Sequence, residues 1–557
     1  MKSMESGTKM LQGAFILSIA ALLSKLIGTL QKIPLQNIAG DSVFGIYNTV
    51  YPFYTMFITL ATAGFPIAVS KLVAEANARG NQKEGERVLK VTSLFLAVLG
   101  GLLSLLMYQF APQISRLIDN EEVILSIRTA SLAFLFVPVM TGLRGYFQGL
   151  QDMIPTAVSQ ITEQTARVTV MLILLFILIE RGAAAETIAA GAMLGSATGG
   201  AAGLLIMWFF WLRREKRLPV ILEQPHTEEG VLTGSGSGKS LGSDRKSVST
   251  LLISVLRYAI PIALGSMVVP LMNMVDTFTV PRLLKLEGMA DIEAMRHFGV
   301  YNRGIPLVQL VTMLATSLSV LFIPAIAEAK VRNDQKTIRR QSILALKWFW
   351  IIGLAAFAGM AVLAEPINRM LYVTPEGTNT MRILALTAAG SAVSVIAVAL
   401  LQGFGAVKAP ALIMLTAAVV KTLLNELLVP YAGISGAAWS SAAAYALAAL
   451  LNVLLLARLL GLRVSLATSI LKPALIVGVM SLAAAGTAWG AEVIIGAFAI
   501  GVGSRTIALA QSLLGITAGV VIFVIGALRT KWITAGEVAM LPKGERLLKL
   551  LRKLRLL

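Results

Sequence analysis

Long apolar stretches recur along the whole chain and are separated by short polar segments. Each stretch is long enough to cross the roughly 30 Å hydrocarbon core of a bilayer as an α-helix that rises about 1.5 Å per residue. Fourteen such spans are predicted, near residues 9–38, 45–73, 89–111, 123–147, 154–179, 187–212, 251–280, 298–326, 342–364, 381–401, 410–428, 436–459, 465–489 and 506–528. The pattern therefore predicts an all-α polytopic membrane protein.

The second half of the chain repeats the first at an offset of 254 residues, the separation of Phe44 and Phe298. The letters FGIYN at Phe44 return as FGVYN at Phe298, and Gln148-Gly149 returns as Gln402-Gly403. Spans one to six and seven to twelve are therefore expected to form two pseudo-symmetric six-helix lobes in parallel orientation, followed by two extra C-terminal helices. Parallel repeats of this kind are typical of transporters that bind their substrate between the lobes.

The repeat divides the chain into five parts. They are an N-terminal lobe (1–212), a cytoplasmic linker (213–250), a C-terminal lobe (251–462), two additional transmembrane helices (463–530) and a tail (531–557). The linker contains GSGSGKS, but Thr233 stands where a phosphate-binding loop needs its first glycine, so a flexible linker is predicted. The tail alternates basic residues with leucine, which predicts an amphipathic helix on the anionic inner leaflet.

Lysine and arginine concentrate in the loops that follow even-numbered spans. The loops after the second, sixth and eighth spans carry Lys71, Arg79, Lys83, Arg87, Lys90, Arg213, Arg214, Lys216, Arg217, Lys239, Arg245, Lys246, Lys330, Arg332, Lys336, Arg339 and Arg340. Residues 39–43, 431–435 and 490–503, which follow odd-numbered spans, contain neither. Because cytoplasmic loops of membrane proteins are enriched in these residues, both termini are expected to be cytoplasmic.

The composition excludes several classes of protein. Only 14% of the 557 residues are charged, against about 25% in a soluble domain. The net charge of +19 follows from the cytoplasmic loops, and no recognised nucleic-acid module accompanies it, so nucleic acid is not an expected partner. The chain has no cysteine and only two histidines, so neither thiolate nor histidine-cluster metal sites are expected, and no cofactor is predicted.

Charged side chains inside the spans are the candidate functional groups, because such a charge costs roughly 2.5–3.5 kcal/mol on insertion scales. Arg303 lies near the start of the eighth span. Lys25 and Lys32 lie in the first span, with Gln31 beside Lys32 and a bend expected near Pro34. A side chain that extends to the outer interface is the alternative for Lys32.

The other intramembrane charges form a second group. Glu163 and Arg167 lie four residues apart in the fifth span and are expected to neutralise each other, while Lys421 repeats the position of Arg167. Arg144 either follows the positive-inside rule or guards an inner gate, and Asp276 is either the partner of a cation or a ligand for a coupling ion. Cations outnumber acids, which predicts a cationic cavity and an anionic substrate, with phosphate as the natural match for arginine.

Three stretches resemble a known group of transporters. They are SKLIGTLQKIPLQNIAG (24–40), RGYFQGLQDMIPTAVSQITEQ (144–164) and VYNRGIPLVQLVTMLATSLSVLFIPAIAEA (300–329). The likeness covers nearly the whole chain and is to the MurJ-type lipid II flippases, in the group of YtgP and stage V sporulation protein B, within the multidrug/oligosaccharidyl-lipid/polysaccharide exporter superfamily. The resemblance implies a V-shaped two-lobe fold, outward translocation of undecaprenyl-pyrophosphate-linked peptidoglycan precursor (lipid II), and a lipid-tail groove formed by the two extra helices.

The resemblance also implies roles for individual residues. Arg303 matches the family's essential eighth-helix arginine, and Lys25 matches its cation early in the first helix. The family's next first-helix arginine falls on Gln31, with Lys32 adjacent, and its second-helix arginine falls near Met56. The expected substrate-binding residues are Lys25, Gln31, Lys32, Arg167, Arg303 and Lys421, and the expected gate or coupling residues are Arg144, Glu163 and Asp276.

The sequence leaves other functions open. An exporter of another lipid-linked polysaccharide precursor is the alternative, whereas a cation-coupled multidrug exporter is disfavoured by the excess of intramembrane cations. A glycan polymerase or transferase would need carboxylates on large outer loops, and the short outer loops predict that the protein is not an enzyme. A scaffold would have no reason to keep charges in both lobes.

The protein is expected to be a monomer in the cell membrane. Its expected partners are membrane lipids and cell-wall synthesis proteins. The expected driving force is the membrane potential or a monovalent cation.

Cysteine labelling tests the predicted topology, and the cysteine-free chain suits it. Cysteines introduced at Ser42 and Ser237 are expected to react with an impermeant thiol reagent from opposite sides of the membrane, because their loops follow an odd and an even span. The measurement compares intact cells with inside-out vesicles. Reaction of both cysteines from outside the cell contradicts the topology, and the parent chain controls for background labelling.

Overall fold

The computed structural model describes residues 2–214, 247–332, 334–372, 374–406, 408–461, 471–498, 503–539, 548–549 and 553. Most of the predicted linker and tail lies outside the described residues. Within them there is no strand, and two short 3-10 helices, Glu121–Val123 and Leu132–Leu135, accompany the α-helices.

The α-helices are α1 (Lys2–Leu30), α2 (Lys32–Thr62), α3 (Phe65–Ala78), α4 (Gln82–Gln109), α5 (Ala111–Ile118), α6 (Ile124–Ser131), α7 (Val137–Gly149), α8 (Ile154–Glu180), α9 (Ala185–Arg214), α10 (Val248–Ser266), α11 (Val268–Leu286), α12 (Asp291–Asn302), α13 (Ile305–Val331), α14 (Gln335–Val362), α15 (Ala364–Leu371), α16 (Thr378–Leu384), α17 (Leu386–Gly403), α18 (Lys408–Leu460), α19 (Lys472–Phe498), α20 (Ser504–Arg529) and α21 (Ala535–Ala539).

Ten helical segments of the described chain are long and apolar enough to cross a membrane. Two of them, 15–78 and 408–460, have 64 and 53 residues, far more than one crossing needs. Each is interrupted by a glycine with positive φ, Gly40 and Gly433, at the loops predicted from the sequence. The multi-pass, all-α architecture is therefore confirmed, and the count of fourteen spans stays a prediction.

Three helices break three residues before a proline. Proline lacks an N–H, and its ring clashes with the carbonyl four residues earlier, so it removes a helical hydrogen bond and kinks or breaks the helix. The breaks are Gln31 before Pro34, Met267 before Pro270 and Arg303 before Pro306. The helix is interrupted at Gln31, close to Pro34 where a bend is expected. The prediction of a single continuous helix through Arg303 is wrong, because α12 ends at Asn302.

Local side-chain caps fix where several loops become helices. Asn81 accepts a hydrogen bond from the backbone N–H of Glu84 at the start of α4, and Asp334 accepts one from Thr337 at the start of α14. Hydrogen bonds from the Thr337 hydroxyl and N–H lower the pKa of Asp334 in its exposed loop. These caps end the basic loops after the second and eighth predicted spans, at the opposite end of the molecule from Arg303.

Glycines bring α9 close to α8 in the N-terminal lobe. A Cβ atom on Gly195 or Gly199 would lie 2.6 Å from the backbone carbonyl oxygens of Arg167 and Glu163, respectively. Small residues at this spacing let two helix backbones approach within the membrane. This packing holds the backbone of two predicted site residues against a neighbouring helix.

The two copies of the repeated FGxYN motif meet where the two predicted lobes, residues 1–212 and 251–462, touch. Gly45 on α2 and Gly299 on α12 lie at the crossing of the two helices, and Thr49 lies 3.5 Å from the sulfur of Met295. A Cβ atom on Gly45 would overlap the carbonyl oxygen of Met295, and one on Gly299 would overlap that of Asp41. The lobes can therefore reach this contact only because both positions are glycine.

Alanine at Gly45 is expected to force α2 and α12 apart, because its methyl group has no space against the Met295 carbonyl. The separation is measured as faster labelling of a cysteine at Thr49, which is buried in this interface. Gly101→Ala is the matched control, since its Cβ would meet no atom within 4 Å. Equal labelling rates in the two variants contradict the role assigned to the glycine crossing.

Candidate functional site

Arg303 joins the two lobes through an ion pair with Asp41. It lies in the break between α12 and α13, with only 1% of its surface exposed. Its Nε donates to Asp41 Oδ1 at 2.9 Å, and a terminal nitrogen donates to Asp41 Oδ2. Asp41 follows the Gly40 interruption at the start of the second predicted span. The paired, two-point geometry is the one in which arginine binds a carboxylate most strongly.

The remaining donors of Arg303 are also occupied. They bind the carbonyl oxygens of Thr374 (3.2 Å) and Glu376 (3.1 Å) and the Thr374 hydroxyl (3.1 Å). Tyr372 places its ring 5.5 Å from the guanidinium carbon and donates its hydroxyl to the Arg303 carbonyl at 2.9 Å. Every guanidinium nitrogen therefore has an acceptor, and in this conformation Arg303 has no donor left for a substrate.

Other polar contacts join the lobes at the same end. Asn37 donates to the Leu371 carbonyl at 2.7 Å, and Lys285 lies 3.2 Å from Asp119 of the N-terminal lobe and 2.8 Å from Asp291. Partial burial lowers the pKa of Lys285, but its hydrogen bonds to Asp291 and Asp119 outweigh burial, so the net shift is upward. This end of the protein is closed by ion pairs and hydrogen bonds across the lobes.

Asp276 and Lys421 form a buried pair inside the C-terminal lobe. Lys421 Nζ lies 2.7 Å from Asp276 Oδ2, and the Tyr301 hydroxyl donates to the same oxygen at 2.8 Å. Asn425 donates to Asp276 Oδ1 at 3.2 Å and to the Thr279 hydroxyl at 2.8 Å. The sequence left two roles open for Asp276, and in this structure Asp276 is paired with a cation, Lys421.

Glu163 binds two arginines inside the N-terminal lobe. Its carboxylate lies 3.4 Å from Arg167, as predicted, and 2.9 Å from Arg144. Arg144 also donates to the Ser159 hydroxyl at 2.9 Å, and Arg167 donates to Tyr54 at 3.2 Å. One carboxylate thus serves two guanidinium groups, so this cluster keeps a net positive charge.

The first-helix candidates lie in different surroundings. Lys25 is exposed on α1 and forms no hydrogen bond or ion pair with a described residue. Lys32 is only 4% exposed and lies over the Tyr51 ring at 5.3 Å, so its side chain is buried within the protein. Gln31 donates to the Tyr47 hydroxyl at 3.4 Å. The structure does not bring Lys25 into the group of residues that binds Arg303.

Sequence reasoning missed Asp41 as a site residue. Asp41 lies 262 residues from Arg303 in the chain, and the position that repeats it in the second lobe is Met295. Neither helical spacing nor the repeat therefore marked it. Its only sequence signal is that it is the sole charged residue in the short loop 39–43.

The chain matches models of two protein families. Residues 10–330 match the model of polysaccharide biosynthesis proteins, and residues 300–525 match that of the lipid II flippase MurJ. It is 33% identical to the uncharacterized membrane protein YabM of Bacillus subtilis, over 79% of each chain. It is 26% identical to the lipid II flippase MurJ of the same organism, over 81% of this chain and 83% of that one.

Solved structures show the same fold. An inward-closed lipid II flippase MurJ superposes with a TM-score of 0.62 at 14% identity, over 92% of this chain and 99% of that one. An inward-facing multidrug resistance MATE transporter superposes with a TM-score of 0.63 at 15% identity, over 81% and 98%. The chain therefore belongs to the polysaccharide biosynthesis protein family, in the MurJ-like group of the multidrug/oligosaccharidyl-lipid/polysaccharide exporter superfamily.

Proposed function

We propose that the protein is a flippase that carries lipid II from the inner to the outer leaflet by alternating access. The observation that supports this most directly is the buried Arg303–Asp41 pair between the lobes. A guanidinium that binds a carboxylate at two points has the geometry to bind a phosphate in the same way. Asp41 then holds the place that the substrate pyrophosphate takes in another conformation.

Exchange of the two anions links substrate binding to lobe movement. Removing one partner from a buried ion pair destabilises a protein by about 3–5 kcal/mol, so the lobes stay joined until another anion replaces Asp41. Pyrophosphate that binds Arg303 frees Asp41, and the two lobes can then separate at this end. We assign this end to the outer side, on the basis of the basic loops at the opposite end.

Lys25 is the second proposed ligand for the pyrophosphate. It is the one predicted intramembrane cation that is exposed and without an ion-pair partner among the described residues. Neutralisation by two cations lowers the free energy of moving the phosphate charge through a medium of low dielectric constant. Any charge that remains is driven by the membrane potential, at about 2.3 kcal/mol per charge per 100 mV.

The helices outside the repeat are proposed to guide the lipid tail. Helix α19 packs against α14, and α20 packs against α15 and α19. Leu475, Val479 and Leu482 are exposed along α19 and present an apolar surface. Such a surface suits an undecaprenyl chain, while the polar head moves between the lobes.

Another lipid-linked polysaccharide precursor is the second candidate substrate, because the larger of the two family matches is to polysaccharide biosynthesis proteins in general. A multidrug exporter for cationic drugs is less well supported. The intramembrane carboxylates Glu163 and Asp276 are each already bound to lysine or arginine, so neither is free for a cationic drug.

We propose a monomer with both termini in the cytoplasm, and cell-wall synthesis proteins as its protein partners.

Rescue of a cell depleted of its lipid II flippase tests the proposal. The protein is expected to restore growth and the appearance of lipid II in the outer leaflet. Restored export of a different lipid-linked glycan without lipid II would favour the second candidate. Normal expression with no lipid-linked glycan moved would reject both.

Arg303→Ala is expected to abolish rescue at normal expression, and Arg303→Lys to restore it only in part, because lysine cannot bind phosphate at two points. Outer-leaflet lipid II is the measurement. Arg282→Ala is the matched control, since Arg282 forms an exposed pair with Glu426 at 2.7 Å and should be dispensable. Wild-type flipping by Arg303→Ala would remove Arg303 from the mechanism.

Charge at position 25 is expected to matter more than the identity of its side chain. Lys25→Arg should retain flipping, and Lys25→Glu should lose it, because a carboxylate repels the pyrophosphate. Lys83→Glu, on the exposed start of α4, controls for a general effect of charge reversal. Equal flipping by Lys25→Glu and the parent protein contradicts the assignment.

A further inference from the structure

The carboxylate of Asp276 is fully occupied within its own lobe. It accepts from Lys421 and Tyr301 on one oxygen and from Asn425 on the other. All four residues are buried, with Lys421 only 2% exposed. A free cation could approach Asp276 only by displacing the lysine.

The ammonium group of Lys421 contacts oxygen atoms of the kinds that bind a small monovalent cation. Besides Asp276 Oδ2 at 2.7 Å, it donates to the backbone carbonyl oxygen of Met272 at 3.2 Å. Asn425, one helical turn after Lys421, has a buried side-chain oxygen without a hydrogen-bond partner, which is a further oxygen close to the pair. Carboxylate and carbonyl oxygens are ligands that hard cations prefer.

The helix that supplies these ligands is interrupted. Helix α10 ends at Ser266 and α11 begins at Val268, two residues before Pro270 and about one turn before Met272. Interrupted membrane helices are common where transporters bind coupling ions, because their backbone groups are not all used within the helix. The location is thus one where a transporter could hold an ion, and here a side chain fills it.

We propose that Lys421 is a tethered cation, whose ammonium permanently occupies a latent site for a monovalent cation in the C-terminal lobe. The lobe therefore takes up no sodium ion in its transport cycle. Shortening the side chain should open the site, and sodium should then replace the lost charge. Only the consequence for transport rests on the proposed flippase function; the ion site itself does not depend on which lipid is carried.

The N-terminal lobe shows why the arrangement is particular to Lys421. The repeat places Arg167 at the equivalent position, but the carboxylate of Glu163 comes from the same helix and is shared with Arg144. Around Lys421 the carboxylate and the carbonyl come from another helix, α11, and enclose a single charge. The two lobes thus neutralise the repeated cation differently, and in the second a carboxylate and a backbone carbonyl of another helix bind it together.

Thermal unfolding of the purified full chain tests the proposal, in sodium chloride and in choline chloride at equal ionic strength. The parent protein should unfold at the same temperature in both salts. Lys421→Ala should unfold earlier, and sodium but not choline should restore part of the loss. Sodium-22 should bind Lys421→Ala and not the parent. Lys421→Met is the matched control, because it removes the charge but fills the space, so sodium should not stabilise it.

Two further variants make the outcome decisive. Lys421→Ser also vacates the position and adds a hydroxyl oxygen, so it provides a second measurement where the alanine variant does not fold. Asp276→Asn combined with Lys421→Ala should lose the sodium effect with the carboxylate. No sodium effect in either small variant, or a sodium effect in the parent that Asp276→Asn removes, would overturn the proposal. Absence of lipid flipping by the parent protein, with these sodium effects intact, would instead count against the proposed function.

Discussion

The closed arrangement of this protein depends on one ion pair that crosses between its lobes. A guanidinium almost without solvent contact needs a counter-charge, since an unpaired charge in a medium of low dielectric constant is strongly destabilised. Asp41 supplies that charge from the other lobe. Its short side chain reaches Arg303 because the backbones of α2 and α12 cross at Gly45 and Gly299. The ion pair and the glycine crossing therefore stabilise the same arrangement of the lobes.

The two lobes have kept one cation of the repeat and diverged in how they neutralise it. In the N-terminal lobe Arg167 shares Glu163 with Arg144, so two positive charges meet one negative charge. In the C-terminal lobe Lys421 and Asp276 balance each other. The N-terminal lobe also holds Lys25 and Lys32, neither of which has a described acid as partner. Similar helices thus produce one lobe with surplus positive charge and one whose central pair is neutral.

The sequence predicts local features of this structure better than its long-range pairs. The apolar stretches, the loops at Gly40 and Gly433 and the Glu163–Arg167 pair all follow from spacing along the chain, and the structure confirms them. The ion pairs Arg303–Asp41 and Lys421–Asp276 link residues 262 and 145 positions apart, respectively. Helical periodicity relates only residues a few positions apart, so it cannot reveal either pair. Proline positions could have indicated the break at Arg303, because Pro306 has no N–H to donate to the carbonyl of Asn302, where α12 ends.

The surplus charge of the N-terminal lobe bears on how an anion could displace Asp41. A single carboxylate neutralises Arg303 alone and leaves Lys25 without a counter-charge. A pyrophosphate carries more than one negative charge, so it could neutralise both cations and still bind Arg303 at two points. A monovalent anion could neutralise only one of the two cations, so the exchange would favour the pyrophosphate. Selectivity for pyrophosphate-linked lipids would then come from the pairing of both Lys25 and Arg303, and Arg303 alone would not provide it.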